Sequence, residues 1–233
     1  MRIIEDLHTH TYFSHGKGSP RDNVLRAVEL GLSAVAVSEH AGGNLFYGVR
    51  GKKLQMLNAE LRSLKEEFEG RILVKNGLEC NVTGFGKSDI PKNRGDYDVI
   101  ILGYHKGVAY TNRFAWHIFR ESFGGRSTPK RNAESIMAAA EAGHADIISH
   151  PGLYLAVDIP YMADCARQLG ILLEINSSSL SMSVDDIKTA MAHGAKFIIG
   201  SDAHTPERVG DFAAALERAK EADALGSVVN ILP

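Results

Sequence analysis

The stretch Ile3-Ile4-Glu5-Asp6-Leu7-His8-Thr9-His10 decides the fold class, because it is an apolar run that stops at two histidines. Further apolar, β-branched runs stop in the same way, at His40, Glu79, His105, His150 and the pair Asp202 and His204. Short apolar runs that alternate with helical segments are typical of βα units and a parallel sheet. In a barrel of parallel strands, the carboxyl ends of all strands meet at one mouth. The sequence therefore predicts an α/β barrel with these side chains gathered at its mouth.

Seven runs predict strands, over residues 2–7, 34–37, 72–78, 98–102, 146–149, 171–175 and 196–199. A weak run over residues 227–232 predicts either an eighth strand or a segment packed outside the barrel. Helices are expected after Ser19, Thr128 and Ser183, each of which can cap a helix, and over residues 54–68, 160–169 and 211–222. Because no linker, repeat or low-complexity segment interrupts this pattern, we expect one domain over residues 1–233.

The composition is that of an ordinary globular protein, with 44% hydrophobic and 23% charged residues. A net charge of −2 argues against a strongly basic nucleic-acid surface. Two cysteines predict neither a disulfide framework nor a thiolate metal site. The first residues enter a strand without a signal-peptide pattern, and no apolar run approaches the ~18 residues of a membrane span. We therefore expect a cytoplasmic protein.

The residue types at the predicted mouth are those that bind divalent metal ions. His8 and His10 point to the same side of an extended strand, and Asp202 and His204 repeat that spacing. A lone His-x-His pair is weak evidence, and it gains weight here from the matching groups on the other strands. The carboxylate of Glu79 can bridge two ions and would be costly to bury without positive charge. Nitrogen and oxygen ligands suit Zn, Mn and Fe, and the sequence does not select among them.

Several other polar residues are better explained by structural roles than by metal binding. Glu39 precedes His40 and points to the opposite face, so we expect a structural role for it. His144 and His193 lie at predicted helix ends on the far face of the barrel, where a histidine interacts with the helix dipole. Glu174 precedes no ligand-like residue, and residues 176–179 after it are expected to hydrogen-bond substrate or to line the mouth.

An irregular insertion separates His105 from Thr128 and is expected on the mouth side, where long loops carry function. Basic residues there and in neighbouring loops make an anionic substrate plausible, although each alone is better explained as a solvated charge. They are Lys17, Arg50, Lys106, Arg113, Arg120 and Arg126. The residues we expect to contact substrate are Lys17, Arg113, His117 and Arg126, although for His117 a packing role is equally plausible.

These motifs, in this order, resemble the PHP (polymerase and histidinol phosphatase) family over nearly the whole chain. The resemblance rests on His8-Thr9-His10, His15, Ser38-Glu39-His40, Glu79, His105, Ser149-His150-Pro151-Gly152 and Gly200-Ser201-Asp202-Ala203-His204. It implies a distorted (β/α)7 TIM-like barrel and three divalent metal ions. It also implies a division of ligands: His8, His10, Glu79 and Asp202 for one ion; Glu79, His105 and His150 for a second; His15, His40 and His204 for a third.

Such a centre suits the hydrolysis of a phosphate ester. Water bound to a metal ion is deprotonated near pH 7 and becomes a hydroxide nucleophile, and paired ions hold phosphate oxygens. We expect Glu79, Asp202 and His204 to act in catalysis, with His204 or a metal-bound water as the proton donor to the leaving group. The substrate is expected to be a small phosphomonoester, and histidinol phosphate is one candidate that the family suggests.

Three alternatives stay open at this point. A phosphodiesterase or exonuclease would act on nucleotides or oligonucleotides, in which case nucleic acid is a partner only as substrate. An amidohydrolase barrel also begins with His-x-His, but it normally uses a bridging lysine where this chain has Glu79. A non-enzymatic metal-binding regulatory module is the third alternative, but a relic site should have lost ligands and this one has lost none. The sequence does not predict the oligomeric state.

Overall fold

The computed structural model describes residues 1–122, 128–179 and 181–232. Its strands are β1 (Arg2–Ile3), β2 (Glu5–Thr9), β3 (Ala34–His40), β4 (Leu73–Gly84), β5 (Lys87–Ser88), β6 (Val99–Gly103), β7 (Ile147–Ile148), β8 (Leu172–Asn176), β9 (Phe197–Gly200) and β10 (Ile231–Leu232). Seven of them pair in parallel in the order β2-β3-β4-β6-β7-β8-β9. A parallel bridge between Thr9 and Ala203 brings the two end strands together. The prediction of a distorted (β/α)7 barrel is therefore confirmed.

The helices follow the strands as the sequence pattern predicts. They are α1 (Pro20–Glu29), α2 (Gly51–Glu67), α3 (Asn112–Ser122), α4 (Pro129–Gly143), α5 (Ile159–Leu169), α6 (Val184–Ala192) and α7 (Ala213–Glu221). Ser19 and Ser183 begin α1 and α6 with capping boxes, each with an aspartate three residues later. Thr128 precedes α4 but makes no side-chain cap, which corrects that expectation. The insertion predicted as irregular contains α3, an amphipathic helix.

Three strand predictions ended too early. The run predicted over residues 2–7 is interrupted at Ile4 and continues to Thr9. β3 continues to His40 and β4 to Gly84, so that His40 and Glu79 lie within paired strands and face each other in register. Tertiary pairing extends both strands beyond their apolar runs. The last run of the chain forms β10, which pairs antiparallel with β1 outside the parallel sheet. Of the two predictions for that run, packing outside the barrel is the correct one.

The barrel interior is layered. Its apolar layer is contributed by strands alone: Leu7, Ala36, Val99, Ile101, Ile147 and Ile198. A larger core lies between the strands and the helices. Below the apolar layer Lys75 pairs with Glu5, and above it the inward positions of β3 and β4 are Ser38, Gly77, His40 and Glu79. The mouth is thus the polar end of an otherwise apolar interior.

A bulge in β2 aims its two histidines inward. Asp6 is opposite Val35, but Thr9 is opposite Val37, so β2 contains one more residue than β3 over this interval. Leu7 belongs to the interior layer, and strict alternation would place Thr9 on the same face. The extra residue reverses the alternation, so that His8 and His10 face the interior.

The described helices are all too short or too polar to cross a lipid bilayer. The prediction that residues 1–233 form one domain stays a prediction.

Candidate functional site

Glu79 lies at the centre of a cluster at the barrel mouth and is 1% exposed. Its Oε1 lies 3.2 Å from His8 Nε2, 2.9 Å from His105 Nε2 and 3.1 Å from His150 Nε2. Its Oε2 lies 3.0 Å from His40 Nδ1. His10 Nε2 lies 3.4 Å from the same Oε2. One carboxylate is therefore surrounded by five imidazoles that come from four different βα units.

Asp202 and three more histidines form the other half of the cluster. Asp202 Oδ1 lies 3.4 Å from His10 Nε2 and 3.6 Å from His8 Nε2. The ring of His204 is centred 4.6 Å from that of His10 and 4.2 Å from that of His15. The structure thus brings together all nine side chains that the sequence singled out as ligands.

Three groups in this cluster have ligand atoms within 4.8 Å of one another. They are His8, His10 and Glu79; His10, His40 and His204; and His40, Glu79 and His105. The first agrees with one predicted ion. The other two combine histidines that the resemblance divides between ions, so the division of ligands stays a prediction.

The donor set fits divalent ions. The buried nitrogens His8 Nε2, His10 Nδ1, His10 Nε2 and His40 Nδ1 have no hydrogen-bond partner among the described residues. Unpartnered polar atoms are costly in a protein interior. These imidazole nitrogens face carboxylates without hydrogen-bond geometry. A bound cation would give them a partner.

The pKa shifts within the cluster also favour bound cations. Burial raises the pKa of Glu79, but His105, His8 and His40 outweigh it and hold this pKa well below its usual range. Burial lowers the pKa of His8, but Glu174 and Glu79 outweigh it and hold that pKa well above its usual range. The carboxylates therefore stay ionised only because positive charge lies beside them, and either protons or metal ions can supply that charge.

The pKa values of two imidazoles are lowered, which favours the neutral form of each. Burial lowers the pKa of His105 to about 4. Burial, together with the neighbouring His204 and His40, lowers the pKa of His15 to about 3. Neutral imidazole is the form that coordinates metal ions.

Glu174 is a buried member of the cluster that the sequence reasoning did not place there. Its Oε1 lies 2.8 Å from His8 Nδ1, and its Oε2 accepts the backbone N–H of His150 at 3.0 Å. It thereby orients two members of the cluster. The signal in the sequence was a carboxylate inside the apolar strand β8, at a position that faces the barrel interior.

Glu39 has the structural role predicted for it. Its carboxylate accepts hydrogen bonds from the backbone N–H and hydroxyl of Thr11 and from the hydroxyl of Ser14. It also lies 3.7 Å from His10 Nδ1. Glu39 therefore fixes the loop that carries His15 and lies behind the ring of His10.

The backbone around the cluster is specialised. His150 and Asp202 have φ values of 32° and 51°, a left-handed conformation that is rare for residues other than glycine. Gly103 leaves room for the cluster, because a Cβ there would overlap Ser149 Oγ and lie 3.0 Å from Cε1 of both His105 and His150.

The four residues predicted to contact substrate do not lie together in the structure. Lys17 is exposed beside the cluster, and its backbone N–H donates to the carbonyl of His204 at 2.7 Å. Arg113 and His117 lie on α3 and line a separate cavity, to which none of the nine clustered residues contributes. Arg126 lies outside the described residues. That these four residues contact substrate stays a prediction.

Two further residues at the mouth went unnoticed in the sequence. The exposed ring of Tyr47 stacks on His15 with centroids 4.4 Å apart. The guanidinium of Arg208 reaches Ser178 Oγ at 3.3 Å, and that hydroxyl donates to the carbonyl of Asp202 at 3.2 Å. Neither stands in a motif, and the fold alone brings them to the cluster.

Comparison with known proteins identifies the family. The model of the PHP domain family matches residues 6–178, and the chain belongs to this family. A protein of Thermoanaerobacter sp. (strain X514) named a probable phosphatase is 28% identical over 240 residues, covering 95% of this chain and 87% of the relative. Another from Shewanella sediminis, with the same name, is 27% identical over 242 residues, covering 96% and 87%. The family resemblance predicted from the motifs is confirmed.

A solved structure shares the fold. It is the histidinol phosphate phosphatase of Lactococcus lactis subsp. lactis in complex with zinc, L-histidinol and phosphate. The TM-score is 0.62 at 17% identity, covering 95% of this chain and 94% of the other. At this identity the likeness concerns the fold. The names of the relatives agree with the prediction of an enzyme that hydrolyses phosphoric esters.

Proposed function

We propose that this protein is a metal-dependent phosphatase that hydrolyses a small phosphomonoester. The observation that carries the proposal is the buried cluster around Glu79, in which unpartnered imidazole nitrogens and ionised carboxylates surround one space. A protein without a cation at this place would leave those polar atoms unsatisfied. The phosphatase names of relatives that align with 95% of this chain support the same reaction class.

The nine clustered residues would hold three divalent ions of Zn, Mn or Fe. One would take His8, His10, Glu79 and Asp202, a second Glu79, His105 and His150, and a third His15, His40 and His204. When bound, such ions supply a nucleophile at neutral pH and neutralise the charge on phosphate oxygens.

The chain's own residues have distinct tasks in this proposal. Glu79 and Asp202 supply the negative charge that holds the ions together, and Glu174 holds His8 with its Nε2 directed at Glu79. His204 is 33% exposed at the side chain, so it can face both the cluster and an incoming substrate. Its ring is therefore placed either to bind the third ion or to donate a proton to the leaving oxygen, and one imidazole does not do both.

The substrate is an anion that reaches the mouth from solvent. Lys17 borders the cluster and adds positive charge there, which favours a phosphorylated small molecule. Arg208 lies on the same rim, but its guanidinium pairs with Asp211 at 3.4 Å. Histidinol phosphate is one candidate, because a phosphatase of similar fold is named for it.

The experiment is an assay of phosphate release from an aryl phosphomonoester with Mn²⁺ or Zn²⁺ added. We expect turnover with the native protein and a loss of at least about a hundredfold with His8→Ala. His193→Ala is the matched control, since His193 ends α6 and pairs with Asp164, and it should keep full activity. Bis-aryl phosphate and an oligonucleotide, assayed in parallel, test for a phosphodiesterase. No release from any monoester, or equal activity of His8→Ala, would show that the proposal is wrong.

A further inference from the structure

A cavity of about 370 Å³ lies between α3, the start of α4 and the turn that follows β4. Phe85 from the turn, Arg113, Trp116 and Arg120 from α3, and Arg131 from α4 contribute to its lining. The cavity is formed in part by the insertion that interrupts the βα pattern. None of the nine clustered residues lines it. The cavity therefore calls for an explanation of its own.

The cavity carries net positive charge. Arg113, Arg120 and Arg131 form no ion pair with any residue in the described ranges. Glu121 also lines the cavity, but its carboxylate accepts from the backbone N–H of Thr128 at 2.7 Å, from the hydroxyl of the same residue at 2.6 Å, and from a neighbouring amide. Its charge is thus engaged in joining α3 to α4. Three guanidiniums against one carboxylate leave a local surplus of positive charge on a chain whose net charge is −2.

Flat rings line the same cavity. Trp116 is 61% exposed and stacks on Phe119 with centroids 5.5 Å apart. The guanidinium of Arg131 lies over the Phe85 ring, 4.3 Å from its centre, and covers one face of it. Guanidiniums bind phosphate oxygens bidentately, and exposed aromatic or guanidinium planes stack on planar ligands. Charge and shape together therefore specify a ligand with an anionic group and a flat ring.

The cavity is separate from the cluster around Glu79. Phe85 follows Glu79 by six residues, of which the last lies in the turn beyond β4, so the chain separates their Cα atoms by at most about 20 Å. None of the nine clustered residues lines the cavity, so a ligand held by the arginines of the cavity does not depend on the cluster. A ligand bound here is a second molecule, or the far end of a long one.

We propose that this cavity is a second anion site, which binds a ligand carrying a phosphate or phosphonate group on a planar ring. The proposal goes beyond the phosphatase function and does not require it, because binding here involves none of the clustered histidines. Arg113 and Arg131 hold the anion, and Trp116 contacts the ring.

The test uses the fact that Trp116 is the one tryptophan of the chain. Phenylphosphonate, whose carbon–phosphorus bond is not an ester, is titrated into the full protein while tryptophan emission is followed. We expect a saturable change in emission with the native protein and an equal change with His8→Ala. Arg113→Gln and Arg131→Gln should each weaken binding about tenfold, as expected for loss of a charge-assisted hydrogen bond. Arg62→Gln, an exposed arginine of α2, is the matched control and should change nothing.

Each opposite outcome counts against the site. If emission does not respond at millimolar probe, or responds equally in Arg113→Gln, the cavity is not an anion site. If the response disappears in His8→Ala, the probe binds at the barrel mouth instead. Methylphosphonate, which lacks the ring, should bind about fivefold more weakly; equal binding would refute the role of Trp116. Because no turnover is measured, failure here leaves the phosphatase proposal intact, and the reverse also holds.

Discussion

At the scale of single residues, the site depends on a few contacts that orient its histidines. The His8 ring has Glu174 on one nitrogen and Glu79 near the other, at 2.8 Å and 3.2 Å. A carboxylate behind a ligand histidine fixes its tautomer and increases its basicity. Glu174 is therefore a positioning residue whose loss should weaken metal binding without removing a ligand.

Glu174→Gln is expected to reduce metal affinity about tenfold to a hundredfold, because the neutral amide no longer stabilises the required form of His8. The measurement is metal content after dialysis against a graded series of free Zn²⁺ or Mn²⁺. Glu217→Gln, an exposed glutamate of α7, is the control and should bind metal as the native protein does. An unchanged affinity for Glu174→Gln would contradict this role.

Gly103→Ala is expected to keep the fold but impair the site, because the new Cβ would crowd His105 and His150. The circular dichroism spectrum should be native, while metal binding and phosphatase activity fall together. Gly226→Ala is the matched control, since a Cβ there meets nothing within 4 Å. A variant with native metal content would show that the histidines can move aside.

At the scale of elements, the capping boxes fix where helices begin. Ser19 and Asp22 exchange hydrogen bonds at the start of α1, just after the loop that carries His15 and Lys17. The backbone N–H and hydroxyl of Ser19 lower the pKa of Asp22 below its usual value. The box thus connects a local sequence signal with the placement of a site loop.

Ser19→Ala is expected to lower the free energy of unfolding by about 1 kcal/mol, as measured by urea titration.

Asp22→Asn should also lower the free energy of unfolding, by an amount that depends on pH. A carboxyl whose pKa is lowered by folding stabilises the protein above its unfolded pKa of about 3.9, and this contribution is lost as the pH falls through the lower folded value. The difference between native protein and Asp22→Asn should therefore shrink between pH 5 and pH 3. A constant difference would mean that the charge of Asp22 is irrelevant.

At the scale of the whole molecule, closure of the barrel depends on side chains as well as strand pairing. β2 and β9 approach each other without forming a regular ladder in the described residues. Asn230 fills the gap between them: its amide donates to the carbonyls of Ile199 at 2.8 Å and Glu5 at 3.1 Å and accepts from the N–H of Ile199 at 3.1 Å. The final segment thus completes the hydrogen bonding of the sheet from outside.

Asn230→Ala is expected to lower the free energy of unfolding by about 3 kcal/mol, because it leaves buried backbone groups of both strands without partners. Urea unfolding followed by circular dichroism measures the change. Asn93→Ala, in an exposed loop, is the control and should cost far less. A small effect at Asn230 would mean that water replaces its amide.

Removal of metal is also expected to act on the whole molecule. A ligand that binds only the folded state adds stability with its concentration, by about 1.4 kcal/mol per ion for each tenfold increase above the dissociation constant. The melting temperature of the native protein should rise with added Mn²⁺ or Zn²⁺ and fall with a chelator, whereas His8→Ala should respond weakly. A melting temperature indifferent to metal in the native protein would contradict a buried metal centre.

The sequence by itself determined the fold class and the order of the barrel strands and of every described helix but α3, because apolar periodicity is a local property of the chain. The nine clustered residues were singled out by motifs at the strand ends and by the resemblance of these motifs to a known family. The sequence also placed His8 and His10 on one side of their strand, since alternation has period two. Whether that side faces the barrel interior depended on the bulge in β2. The bulge arises from pairing with β3, and nothing in residues 3–10 predicts it. The role of Glu174, the stacking of Tyr47 and the cavity beside α3 likewise came from tertiary structure alone. Each joins residues far apart in sequence, and only the closed barrel determines their distances.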